Sequence, residues 1–380
     1  MATTLQVIDT EYSADSVEWC PLNGLKDILL CGTYQLQESQ QNDAAEENAK
    51  QSQTRVGRLY LHRLEGDPES QTLKNVSSTD MPGILDIKWC TVPIDEQSVF
   101  GLVTSVGELQ VYKLKSTAVE DGIEQLSVSS LGDDILGLSL DWSNKVSKSS
   151  SPRIACSSSD GRITVYQLTN SDVLELSSWN AHGFEAWITA FNYWNENIVY
   201  SGGDDCKLKG WDLRQSTEIP AFVSKRHSMG VCSVQSCHLK PNILCTGSYD
   251  ENLLVWDDRN MKSPLSETSL GGGVWRIKWE PHSADLILTA TMYNGFHVLD
   301  ARDLSGDSLP ILCHYKEHSS IAYGADWCFK DSHRKTVSLG DDDQLPSPSR
   351  TGAIDDGRTI ATCSFYDHCL HLWNYKENIS

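Results

Sequence analysis

The chain has 380 residues, 39% of them hydrophobic, enough to bury a substantial core. Its 52 acidic and 31 basic side chains give a formal net charge of −21, which excludes nucleic acid as a partner, because binding to a phosphate backbone draws on clustered Lys and Arg. Its 12 cysteines are scattered, with no CxxC pair, and read as buried thiols in a reducing compartment rather than as disulfides or a metal site.

The N-terminus carries no basic region followed by an apolar run, and no stretch approaches membrane-spanning length, so the chain reads as cytoplasmic with no membrane partner. Leu5 to Ile8 alternates weakly and suits an outer strand that closes a ring of repeats from the other terminus. The first repeat runs through Ser16–Cys20, Ile28–Tyr34 and Gly57–Leu64, short apolar alternations of strand type. Residues 37–54, rich in Gln, Asn, Ala and Glu, have no apolar face and read as a mobile insertion. The second repeat holds Ile84–Cys90, Val99–Val103 and Gly107–Tyr112, and the third Leu136–Trp142, Arg153–Ser157 and Arg162–Tyr166.

The fourth and fifth repeats are the clearest. Tyr200–Arg214 and Thr246–Arg259 each read as a strand, a tight turn on Asp205 or Asp250, and a strand closed by Trp-Asp. His182 and His227 precede those aspartates by 23 residues, and Trp211 and Trp256 follow them by six. The sixth repeat opens at Gly271-Gly-Gly-Val-Trp and lacks both the entrance histidine and the final Trp, so its internal hydrogen bonding must differ. The seventh starts at Ile321, is interrupted by a second expected mobile insertion, residues 330–358, and resumes at Thr359. One column supports the count of seven: Trp19, Trp89, Trp142, Tyr193, Ser236, Trp279 and Trp327, with steps of 43 residues where no insertion intervenes. That period fits four strands per propeller blade.

His182, Ser201, Asp205 and Trp211, and again His227, Thr246, Asp250 and Trp256, resemble the hydrogen-bonded tetrad of WD-repeat propellers. The expected fold is all-β, a single seven-bladed WD-repeat β-propeller over residues 1–380. These histidines and aspartates, with His318 and Asp367, then read as structural. His368 differs, because the equivalent positions hold Cys206 and Glu251, and an imidazole pKa suits acid/base work. No Gly-x-Ser-x-Gly elbow, HExxH motif or phosphate loop occurs. The three glycines from Gly271 read as a tight loop, with backbone N–H donors to an oxyanion as the alternative.

In a WD-like blade the residue before the turn Asp points to the rim, and those places hold Asp204, Tyr249 and Tyr366, with Tyr293 before Asn294 in the sixth repeat. Trp187, Trp275 and Tyr323 lie on the approaches to first strands. Aromatics and carboxylates converging on one face can hold a quaternary ammonium, although the same residues also serve as packing and as protein-interface anchors.

Longer phrases carry a narrower likeness. Thr10-Glu-Tyr-Ser-Ala-Asp-Ser-Val-Glu-Trp-Cys-Pro, Phe184-Glu-Ala-Trp-Ile-Thr-Ala-Phe-Asn-Tyr-Trp, Gly272-Gly-Val-Trp-Arg-Ile-Lys-Trp and Cys363-Ser-Phe-Tyr-Asp-His resemble the diphthine methyl ester hydrolases (diphthine methylesterases), WD-repeat proteins of diphthamide biosynthesis. The resemblance implies hydrolysis of the methyl ester on the modified histidine of elongation factor 2, giving diphthine before the final amidation; the residues themselves offer no cofactor or metal motif. Our reading of the residues puts Asp204, Tyr249, Trp275, Tyr293 and Tyr366 around the substrate's trimethylammonium, with His368 or Glu185 as the base that activates water. A different class stays open: Trp211-Asp-Leu-Arg and Trp256-Asp-Asp-Arg resemble the signature of WD-repeat substrate receptors of cullin-RING ubiquitin ligases, in which Arg214 and Arg259 would meet the ligase adaptor.

Overall fold

A computed structural model describes residues 1–37, 54–116, 121–169, 172–330 and 357–377. Apart from their flanking residues, the two insertions expected from the sequence lie outside the described residues. Every element described is a β-strand, and the strands form seven antiparallel sheets. The innermost strands are Ala14–Trp19, Ile84–Trp89, Gly137–Trp142, Ile188–Phe191, Val231–Ser236, Arg276–Trp279 and Ala322–Trp327. Each packs against the next, and the seventh returns to the first, so the sheets stand as blades around a central channel. The seven-bladed propeller expected from the 43-residue period is the observed fold.

The blades are buried on both faces, which explains why their inner strands are apolar throughout rather than alternating. Ile28–Thr33, Val99–Thr104 and Gly137–Trp142 have no exposed residue, whereas the outer strand Val173–Asn180 is largely solvated. Seven apolar clusters fill the spaces between neighbouring blades, one cluster to each pair. The N-terminal strand Ala2–Asp9 pairs with Cys369–Tyr375 and becomes the outer strand of the seventh blade. Ring closure by main-chain hydrogen bonds leaves no free edge between the termini.

The column residues staple the ring. The Trp89, Trp142 and Trp327 indoles donate to the carbonyls of Glu18, Lys88 and Lys278, in each case the residue before the column Trp of the preceding blade. Carboxylates work the same way in the other direction. Asp86 accepts from the Leu140 N–H at 3.2 Å, Asp141 from Phe191 at 2.8 Å and Asp326 from Trp19 at 2.7 Å, each from the following blade.

Candidate functional site

Two blades contain a complete tetrad. His182 Nδ1 lies 2.8 Å from Asp205 Oδ1, its Nε2 lies 2.8 Å from Ser201 Oγ, and Trp211 Nε1–H donates to that hydroxyl at 2.9 Å. His227 repeats the pattern with Asp250 at 2.9 Å, Thr246 at 2.8 Å and Trp256 donating to Thr246 at 2.9 Å. The seventh blade inserts a hydroxyl: His318 meets Thr362 and Ser364, and it is Ser364 that donates to Asp367 at 2.5 Å. In the sixth blade, His297 on the third strand bonds Thr291 Oγ1 at 3.0 Å and stacks on His314 at 4.1 Å. Burial lowers the His182 imidazole against the pull of Asp205, and it pushes His318 down to about 2 and His297 to about 3.

By ordering the turns, the tetrads aim the residues next to them at one rim. There an arc of aromatic rings runs over five blades. Trp187 meets Tyr249 edge-on at 6.2 Å and Trp275 at 5.8 Å, and Tyr249 meets Trp275 at 6.1 Å. Trp275 stacks on Tyr323 at 4.9 Å, Tyr323 meets Phe365 at 5.1 Å, and Phe365 meets Tyr34 at 5.8 Å. Asp204 is fixed at one end by the Trp187 indole N–H, 3.1 Å from Oδ1. Tyr293 and Tyr366 stand exposed above the arc, 81% and 69% accessible. Burial first, then the Asp15 carboxyl and the Tyr366 and Tyr293 phenols, push the Tyr323 phenol well above its ordinary value. Burial likewise raises Tyr249, helped by Cys232, Tyr323, Asp204 and Glu185. The arc therefore stays uncharged on its aromatic side, with carboxylates beside it, an arrangement that attracts cations.

The glycine run at Gly271 has a packing explanation. A Cβ on Gly272 would lie 2.4 Å from the Thr291 carbonyl, and one on Gly273 would lie 3.3 Å from the Tyr249 ring, so the loop passes through only because no side chain is there. The N–H groups that follow are already used, Val274 by Ser248 and Trp275 by Ala290.

The structure therefore gathers Asp204, Tyr249, Trp275, Tyr293 and Tyr366 on one rim. Glu185 joins them, its carbonyl accepting the Asp204 N–H at 2.9 Å and its charge felt by Tyr249. His368 stands apart. Its φ is 56°, left-handed like Cys206 and Glu251 at the equivalent turn positions. Its carbonyl accepts from both the Thr10 N–H and hydroxyl, tying it to the closing outer strand. Among the described contacts, no hydrogen bond or ring contact joins its imidazole to the arc.

Below the rim the channel is crossed by buried ion pairs that the sequence did not announce. Arg276 of the sixth blade reaches Asp86 of the second at 3.1 Å, and Lys278 reaches Glu18 of the first at 2.5 Å. Burial alone would raise the Glu18 carboxyl, but Lys278 and Lys88 outweigh it and hold the group down at about 2. Beyond this plug, at the end of the channel away from the arc, lies a cavity of about 850 Å3 whose lining includes Trp142, Lys145, His238 and Trp279. Among the described residues, no group of three or more His, Cys, Asp or Glu is placed to hold a metal ion. Among the described residues, no helix is long and apolar enough to cross a membrane.

Residues 220–257 match the family model for the WD domain, G-beta repeat. The fold also matches a chain in the crystal structure of a mitotic checkpoint complex, with a TM-score of 0.66 over 99% of this chain and 92% of that one at 17% identity, a likeness of fold alone. The molecule is thus a WD-repeat propeller with an aromatic, carboxylate-edged rim. Over nearly its whole length it is similar to the diphthine methyltransferase of Homo sapiens, 37% identical over 98% of this chain and 99% of that one. It is 36% identical to the diphthine methyltransferase homolog of Dictyostelium discoideum, over 96% of each. The chain belongs to the diphthine methyltransferase family.

That membership corrects one expectation. The resemblance read from the sequence implied a methyl ester hydrolase, whereas the relatives carry the name of a methyltransferase, a group-transfer enzyme. The water-activating role given to His368 and Glu185 belonged to the hydrolase reading and is withdrawn with it.

Proposed function

We propose that this protein works in diphthamide biosynthesis, recognising the diphthine-type modified histidine of elongation factor 2 and taking part in the methyl-group chemistry for which its relatives are named. The observation that carries the reading is the aromatic arc from Trp187 through Tyr249 and Trp275 to Tyr323, edged by Asp204. A trimethylammonium is a permanent, weakly hydrated cation, and electron-rich ring faces in a partly desolvated site suit it. Asp204, Tyr249, Trp275, Tyr293 and Tyr366 are the residues proposed to surround it. The exposed Tyr293 and Tyr366 would meet the polypeptide around the modified side chain, as aromatic residues do at protein interfaces.

The test is to incubate the purified protein, with a cell extract as the source of any co-substrate, with elongation factor 2 carrying the methylated intermediate. The modified peptide is then followed by mass spectrometry. A change of one methyl unit, about 14 Da, that depends on this protein supports the reading. Binding without any change of mass would make the rim a recognition face only.

A second partner reading concerns the opposite rim. Arg214 and Arg259 are exposed, each guanidinium clamped by two hydrogen bonds to its own Asp212 or Asp257. That pre-ordering favours contact with a ubiquitin-ligase adaptor. Loss of adaptor pull-down in an Arg214→Ala, Arg259→Ala protein supports it, and failure of the unaltered protein to capture the adaptor removes it.

A further inference from the structure

Counting back from the column residue of each blade reveals which side chains share a level of the channel. Four places before Trp279 and Trp327 stand Trp275 and Tyr323, the two stacked rings at the centre of the arc. Four places before Trp19, in the next blade of the ring, stands Asp15. The repeat therefore sets a carboxyl beside two aromatic rings at one level of the channel mouth. Gly324, next to Tyr323, permits the approach: a Cβ there would lie 3.1 Å from the Asp15 carbonyl.

Asp15 is 6% exposed, and its Oδ1 has no hydrogen-bond partner among the described residues. The Trp275 indole N–H, at the same level, has none either. The nearby cation is already taken, since Arg276 pairs with Asp86 one level deeper. A buried carboxyl oxygen without a partner is costly in a structure that staples its other channel carboxylates so carefully.

We propose that Asp15 is a specificity-determining residue of the rim site, supplying the counter-charge beside the arc for a quaternary ammonium seated over Trp275 and Tyr323. Asp204 stands at the Trp187 end of the arc, so a cation lies between two carboxyl groups with ring faces between them. An uncharged ligand of the same shape would find the rings but gain nothing from Asp15. This rests on reading the arc as a cation site, though not on which protein carries the cation.

The inference has a pH signature. In the empty site burial raises the Asp15 carboxyl to about 8, Asp86 adding to the rise and Arg276 opposing it. A bound cation favours the ionised form, so binding releases a proton to solvent below that value and weakens as pH falls. The other titratable groups interacting with Asp15 are Cys31, Cys363 and Tyr323, all pushed above their ordinary values by burial, which leaves the interval from pH 6.5 to 8.5 to Asp15.

The experiment uses the full chain and tetramethylammonium as the probe, with 3,3-dimethylbutanol as an uncharged control, and follows binding by NMR between pH 6.5 and 8.5. Affinity for tetramethylammonium should rise by up to about tenfold per pH unit and level off above pH 8, while the control stays flat. The Asp15→Asn protein, isosteric at the site, should bind the cation about tenfold more weakly at pH 8.5 and show no pH dependence. If Asp15→Asn fails to fold, the profile of the unaltered protein decides alone. A flat profile, equal binding by Asp15→Asn, or no binding of the cation overturns the inference. PH-dependent binding without any change to the modified histidine would sink the proposed function and leave the inference standing.

Discussion

Replacing Thr246 by Val tests whether the tetrads hold the blades together. The swap keeps the shape and deletes one oxygen, which accepts from Trp256 Nε1 at 2.9 Å and bonds His227 Nε2 at 2.8 Å. Both partners are buried, Trp256 at 0% and His227 at 4% exposure, so water cannot replace the hydroxyl. Leaving a buried polar group unpaired costs about 1–3 kcal/mol, and two such groups put the expected loss at about 2–6 kcal/mol, a large part of a typical folding free energy. Thr246→Ser, which keeps the oxygen and loses one methyl, should cost about 1 kcal/mol. Thermal and urea unfolding of the three proteins measure the difference. A Val protein within about 0.5 kcal/mol of the parent would refute the claim that this hydroxyl bridges the blade.

Acid should destabilise the fold before paired carboxylates such as Glu18, held at about 2, are protonated. His62, His238 and His318 are held neutral by burial, at about 4, about 4 and about 2, whereas the unfolded chain takes up protons near pH 6.5. Their contribution is complete above that value and is lost as pH falls, at about 1–2 kcal/mol per group by pH 5; a melting temperature unchanged between pH 7 and 5 would contradict it. Glu18→Gln leaves the buried Lys278 and Lys88 short of a counter-charge, and about 3–5 kcal/mol of stability should go, read as a lowered unfolding midpoint. Tyr366→Ala removes an exposed ring, so stability should stay within about 0.5 kcal/mol while tetramethylammonium binding weakens by roughly 2- to 5-fold.

How much of this was legible depended on distance along the chain. The two tetrads lie within windows of 30 residues, at fixed offsets set by strand and turn lengths, so His182 and Trp211 can be matched by counting. The rim positions before the turn Asp followed from the same count. The ion pairs across the channel did not, because Arg276 and Asp86 are separated by 190 residues, and nothing local in either strand reports a partner on the far side of the ring. The seventh blade differs because Ser364 intervenes between His318 and Asp367, a change of one hydroxyl within an otherwise ordinary strand end. His368 drew notice as an imidazole beside the turn, but its carbonyl is held by Thr10, at the other end of the sequence. Asp15 and the Phe365–Tyr34 extension of the arc were missed, although the offset from Trp19 was available to find the first.

The claim that the modified side chain sits in the arc is tested most directly by the indole N–H signals of the protein. Each of the 12 tryptophans gives its own resonance, and titration with a peptide bearing the trimethylated histidine derivative reports where it binds. The account predicts that the Trp187 and Trp275 signals move while those of Trp89 and Trp142, at the other end of the channel, stay fixed. Movement of Trp89 and Trp142 with Trp187 and Trp275 unaffected would place the ligand at the opposite cavity and contradict the account.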